Sequence, residues 1–369
     1  MKKENSVKFL TKNDNRLSNF ELLRIFAMFL IVLHHCTVHG IFSYWSANVS
    51  VSDFINNIVC FFLSSGGKIG VMLFLLLTGY FSCQQNFKLR KWLDVYLKML
   101  FFSVLIFALW FFISPDEAKA ALKYSVRPLT RNAYWFTSSW LALYALSPLL
   151  NRMLHKFSQR TVRYILIFGL IFLFVLPTFG MNIAKYSKLF RFYYLVHFIY
   201  LYLLGASIRL EQVKFSKKYL LLLSLSIFCF VFAMLSSEFF LWGKEINLWD
   251  FFAYTELYTL YSLSASLWLF YLFKDLKIKS SFVNWTASSM FSVYLLHDNT
   301  LIRPFLWHTL LAMDRAMSSS FFIVWIFIVS ASVFALCIVI DKLLSLIYRP
   351  LLDFLENALS KIKPLRRWF

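Results

Sequence analysis

Apolar runs of membrane-spanning length recur from one end of this 369-residue chain to the other, and that recurrence limits the possible folds more than any motif. About 20 consecutive apolar residues wound as a helix cross the hydrocarbon core of a bilayer. Inside that core each backbone N–H and C=O has to be satisfied without water, which a helix does within its own segment. Splitting the runs at charge clusters gives ten candidate spans, at 20–41, 56–82, 93–114, 134–151, 164–180, 191–208, 219–237, 250–273, 284–307 and 320–345. Composition agrees: 60% of the residues are hydrophobic and only 15% charged, where a soluble domain has about a quarter charged. The expected fold is an all-α polytopic integral membrane protein of about ten transmembrane helices.

Charge orients those helices. With the amino terminus cytoplasmic, the inward segments hold 24 Lys or Arg and the outward loops 8, with six more within or at the edges of spans. Such a bias predicts that both termini are cytoplasmic. The domain reading is a basic amino-terminal tail over 1–19, a transmembrane domain over 20–345 and a basic, amphipathic tail over 346–369. That last segment, "RPLLDFLENALSKIKPLRRWF", has the pattern of a short helix lying on the inner membrane surface. The net charge of +20 does not indicate nucleic acid, because the basic residues alternate with spans and build no contiguous patch. Topology and anionic lipid headgroups account for it. Cys36, Cys60, Cys83, Cys229 and Cys337 are scattered without Cys-x-x-Cys spacing, so neither a disulfide framework nor a metal site is indicated. The acidic "PDEA" at 115–118 reads as an exposed turn.

The first run, "SNFELLRIFAMFLIVLHHC" at 18–36, carries charge where an anchor needs none. Ser18 followed by Glu21 has the form of a capping box. Arg24 lies a turn further in and could snorkel to headgroups. Eleven residues at about 100° each bring His35 back to within roughly 20° of Arg24's face, about 16 Å along the axis. One face thus offers a guanidinium near one membrane surface and an imidazole past the midplane, and polar groups at that depth are functional candidates. His34 points about 100° away, so one histidine of the pair is structural. Glu256 in "AYTEL" is another acid inside an apolar run. Trp135 and Tyr134 near an outer face could stack on a sugar.

"ELLRIFAMFLIVLHH" resembles the opening helix of the membrane acyltransferase 3 family, with its acid, arginine and histidine falling on Glu21, Arg24 and His35. "GGKIGVMLFLLLTGYF" at 66–81 is similar to the family's second-helix motif, with Gly70 and Gly79 on its glycines and Thr78 where serine is more usual. "KLRK" at 88–91, "YWFTSSWLALYALSPLLN" at 134–151, "YLYLLGASIRL" at 200–210 and "SSMFSVYLLHDN" at 288–299 resemble segments of the branch that acylates cell-envelope and exported polysaccharides. The resemblance covers nearly the whole chain in order.

It implies acyl transfer from cytoplasmic acyl-CoA, usually acetyl-CoA, to a carbohydrate hydroxyl on a polysaccharide or its lipid-linked precursor. Acetyl-CoA enters as a donor substrate, with no permanently bound cofactor. The implied setting is the bacterial plasma membrane, with polysaccharide-assembly proteins as partners. Arg24, Lys88, Arg90 and Lys91 suit the donor's phosphates, since guanidinium and ammonium groups bind them by charge-assisted hydrogen bonds. His35 suits a general base on the sugar hydroxyl or a nucleophile that carries the acyl group. Glu21 and Asp298 are the further catalytic candidates, Asp298 because it could orient His35 from a neighbouring helix, while His297 and Arg303 are candidates for substrate contact. Some family members continue into an esterase-like domain; this chain ends at Phe369, so the expectation is that it acts alone or hands its acyl group to a separate protein. Two other classes share parts of the pattern. A transporter or flippase would also carry charges at depth but often shows two similar halves, which are not evident here. A membrane glycosyltransferase or polymerase would depend on a sugar nucleotide in place of acyl-CoA.

Overall fold

The computed structural model describes residues 16–41, 51–178, 193–242, 259–313 and 321–361. Among them every regular element is helical. In chain order the longer ones are α1 (Ser18–His35, continued by a π-helical turn, Cys36–Ile41), α2 (Val51–Ser82), α3 (Leu89–Ile113), α4 (Pro115–Val126), α5 (Trp135–Lys156) and α6 (Gln159–Leu170, continued by a π-helical turn, Ile171–Val175). There follow α7 (Tyr193–Arg209), α8 (Lys217–Trp242), α9 (Leu260–Lys274), α10 (Ser281–Ala287), α11 (Met290–His297) and α12 (Phe322–Ser360).

Among the described residues, five stretches combine the length and apolarity needed to cross a bilayer: Ser18–Ile41, Phe62–Ser82, Leu89–Ile113, Gln159–Thr178 and Phe322–Leu355. Their outward sides carry exposed Phe112, Ile113, Phe168, Phe172, Val324 and Leu336, a surface that suits hydrocarbon and would be costly in water. The remaining runs map onto α5, α7, α8, α9 and the broken stretch from α10 to Leu310. Glu256 and the first part of the run at 250–273 lie outside those residues.

The packing of the bundle's centre depends on small residues. α2 lies between α1 and α7, and with lipid outside there is little hydrophobic drive to hold helices together, so close backbone approach has to supply the contact. At the crossing of α2 with α7, a Cβ on Gly79 would stand 2.0 Å from the Tyr202 carbonyl oxygen, and one on Gly205 would stand 2.2 Å from that of Leu76. Each glycine opens the space that the other helix's backbone occupies.

Several sequence expectations are revised. The capping box does not form: Leu17 is the residue before the helix and no side chain caps it. Ser18 turns instead to the 280s, where its Oγ accepts the Ser280 N–H at 3.0 Å. "PDEA" is no turn; Pro115 opens α4, and Glu117 Oε2 accepts the Trp110 indole N–H at 2.9 Å. The run at 284–307 is not one helix, because α11 stops at His297 and the chain turns before resuming at Ile302. Residues 346–360 are not a separate surface helix but the continuation of α12, whose 39 residues reach about 58 Å, nearly twice the hydrocarbon thickness of about 30 Å. Tyr134 is buried, 1% exposed, so it has no face to offer a sugar.

The α2–α7 crossing gives a direct test. Gly79→Ala and Gly205→Ala each force a methyl into opposing backbone and are expected to destabilise by at least the ~1–3 kcal/mol usual for overpacking. Gly66→Ala meets the Leu30 side chain and backbone at 3.3 Å or more and should cost clearly less than either. Unfolding temperatures of the purified proteins in one detergent would check the contrast.

Candidate active site

A cavity of about 660 Å³ opens between α1, α2, α3, α5 and α11, within the size range of ligand sites. Arg24, Lys68, Lys91, Lys98 and Arg303 line it against only two carboxylates, Asp94 and Asp298, so its field is positive and favours an anionic occupant. His34, His35 and His39 also line it. α1 therefore presents Arg24 and His35 to one space, as the eleven-residue spacing requires.

His35 is built into a hydrogen-bond chain. His297 Nδ1 stands 2.5 Å from the Val293 carbonyl, four residues back on α11. A carbonyl can only accept, so this nitrogen carries the proton. Neutral His297 is left with a lone pair on Nε2, which lies 2.8 Å from His35 Nδ1. His35 must then donate through Nδ1, and its Nε2 keeps a lone pair. The order Val293 carbonyl, His297, His35 fixes the tautomer of each ring through the hydrogen bond at its other nitrogen. Both rings are buried, His35 at 7% and His297 at 1% exposure.

Asp298 stands just behind. Its Oδ1 is 3.7 Å from His35 Nδ1, beyond hydrogen-bond range, and 2.9 Å from Arg303 Nη2. Arg303 also donates to the Asp298 backbone oxygen at 3.1 Å. The group that orients His35 is thus His297, and the carboxylate is neutralised by Arg303. His39, carried inward by the π-helical turn after α1, has its ring 5.2 Å from that of His35 and its Nε2 4.0 Å from Asp298 Oδ1. Donor atoms of His35, His39 and Asp298 lie within 4.8 Å of one another, a spacing a metal ion could bridge. With His297 on His35 Nδ1 and Arg303 on the carboxylate, the arrangement is better matched to moving protons.

The turn that carries Asp298 is held by side chains. Asn299 donates to the Tyr134 hydroxyl at 2.6 Å, accepts the Leu301 N–H at 2.9 Å, and the Tyr134 hydroxyl in turn donates to the Leu295 carbonyl at 3.1 Å. These bonds replace helical ones that the break gives up, which buried backbone requires.

The other sequence candidates divide. Glu21 is bonded to Arg24 at 2.6 Å, lies outside the cavity lining and is about 21 Å along α1 from His35. Arg24 is held between Glu21 and the Phe81 ring, 5.5 Å from its centroid. Of the three bases at 88–91, Lys91 lines the cavity, with its ammonium over Tyr144 at 5.0 Å. Arg90 pairs with Asp353 at 3.3 Å, both exposed, and Lys88 offers its backbone N–H to the Tyr144 hydroxyl at 3.2 Å. His34 is set against α2: its Nδ1 bonds the Ser64 carbonyl, and a Cβ on Gly67 would fall 2.3 Å from its ring. Trp135 lines the cavity. Sequence reasoning missed Lys68, Asp94, Lys98, His39 and the buried Asp341. A lone charge inside an apolar run was the available signal for Lys68 and Lys98.

The chain is thus a helical bundle with apolar spans around an ionisable, histidine-bearing cavity. The family model for the acyltransferase domain matches residues 17–342, nearly the whole chain, and the protein belongs to the acyltransferase 3 family. It is a membrane acyltransferase. No curated protein and no solved structure matches the chain significantly.

The turn after α11 can be tested by a double-mutant cycle. Asn299→Ala strands the Leu301 N–H and one bond of Tyr134, with an expected loss of about 1–3 kcal/mol. Tyr134→Phe should add less in that background than alone, since the two share bonds; chemical denaturation of the four proteins measures both.

Proposed function

We propose that this protein is a bacterial plasma-membrane O-acyltransferase that moves an acetyl group from cytoplasmic acetyl-CoA to a hydroxyl of a cell-surface or exported polysaccharide, or of its lipid-linked precursor. About ten spans with both termini cytoplasmic fit this role, since the donor then approaches from the side of the basic loops. The observation that carries the reading is the lone pair on His35 Nε2, fixed by His297 in the same cavity that holds Arg24.

Arg24 and Lys91 meet the donor's anionic end, with Lys88 and Arg90 on the approach. The thioester reaches His35 through the length of α1 that separates it from Arg24, about 16 Å. His35 Nε2 takes the proton of the sugar hydroxyl as its oxygen attacks the thioester carbonyl. The C–S bond then breaks, and the proton passes from His35 to the departing sulfur, giving the ester and free CoA thiol. His297 stabilises the imidazolium that forms between these steps, and Asp298 with Arg303 shapes the acceptor's end of the cavity.

Proton NMR of surface polysaccharide from cells with matched membrane levels of each variant tests this. His35→Ala should lose the O-acetyl signal by about 100-fold or more, within the range for a general base. His297→Ala should fall in between and His34→Ala remain largely active. Unchanged acetylation in cells lacking the protein would overturn the proposal and favour transport or another acceptor.

A further inference from the structure

Lys98 stands inside the bundle with no part in the reading above. It follows Lys91 by seven residues on α3, so the two project from one face about 10.5 Å apart along the axis, and both line the cavity. Lys98 is only 9% exposed. Its Nζ is 3.6 Å from Asp341 Oδ1 on α12 and 4.8 Å from the centre of the Tyr348 ring. Asp341 is fully buried and does not line the cavity. It also accepts from the Ser292 hydroxyl on α11 and from Tyr348 at 2.9 Å.

The carboxylate thus sits behind and the ammonium in front. Asp341 Oδ1 is approached by three donors from three places in the fold, whereas an ammonium has three N–H bonds and Asp341 needs only one of them. As a fold-stabilising device the pair is poor, because desolvating two charges offsets their attraction and apolar replacements are often as good. A charge kept at membrane depth beside a cavity is better accounted for by what enters the cavity. Ser292 precedes His297 by five residues, about 7.5 Å along α11, which puts the network on the stretch of cavity between Lys91 and the His35–His297 pair.

We infer that Lys98 is a fixed cation for the donor, meeting the phosphate and carbonyl oxygens of the phosphopantetheine arm as it threads toward His35, with Asp341 as the positioning residue. The inference rests on acyl-CoA being the donor. Arg24 and Lys91 then receive the nucleotide end, and Lys98 holds the arm in the interior.

Equilibrium binding of radiolabelled acetyl-CoA to the full-length protein in lipid nanodiscs tests it, with thermal unfolding recorded on the same samples. Lys98→Gln removes the charge while keeping an amide donor for Asp341. Lys98→Met combined with Asp341→Asn removes both charges and leaves neither stranded. Both should raise Kd about tenfold or more, with the double variant unfolding near the wild-type temperature. Wild-type affinity in either folded variant would make the pair a packing feature and overturn the inference. If the wild type itself does not bind acetyl-CoA, the donor reading fails first and the inference falls with it.

Discussion

Charge inside hydrocarbon has to be answered by charge or by a hydrogen bond, and the interior of this protein is arranged around those answers. Glu21 answers Arg24, Asp298 answers Arg303, and Asp341 answers Lys98. The first pair lies within one helix, and the second links the turn after α11 to the helical stretch that resumes at Ile302. The third joins α3 to α12, with Ser292 bringing in α11. Each leaves its cation on the cavity wall. The pairs therefore do two things with the same atoms: they make buried charges tolerable and they aim the positive member at the cavity.

The histidines follow a related logic with neutral groups. A backbone carbonyl on α11 fixes His297, and His297 fixes His35 across the helix boundary. A carboxylate in the orienting place would have brought a further charge to the centre of the membrane; an imidazole brings direction without one. The break after His297 lets Asp298 and Arg303 turn back on each other, which a continuous helix could not do, and Asn299 with Tyr134 satisfies the backbone the break exposes. An interrupted helix at membrane depth is tolerated where it lines a cavity, and this one does.

Much of the cavity face of α1 was readable along a single helix. Arg24 and His35 are related by helical periodicity alone, and the structure places both on one cavity. Glu21 was readable as a neighbour of Arg24 but not as its partner, because a capping box and an i,i+3 ion pair use the same spacing. Lys98 and Asp341 are far apart in sequence, and each reads alone as a single charge within its own apolar run; only the approach of α3 to α12 makes them a pair. The same holds for His297, whose bond to His35 spans 262 positions.

By itself the sequence determined that the chain is helical and belongs in a membrane, because apolar length and backbone satisfaction leave little choice, and it determined which face of α1 carries Arg24 and His35 together, because the 3.6-residue period is local. Tertiary structure decided which helices those faces meet. It chose His297 over Asp298 as the partner of His35, turned 284–307 into a broken element, extended α12 through the carboxyl-terminal segment and set α2 against α7 at Gly79 and Gly205. Each of these depends on contact between distant segments, where distances of an ångström or two separate a hydrogen bond from a near miss, and no local pattern encodes them.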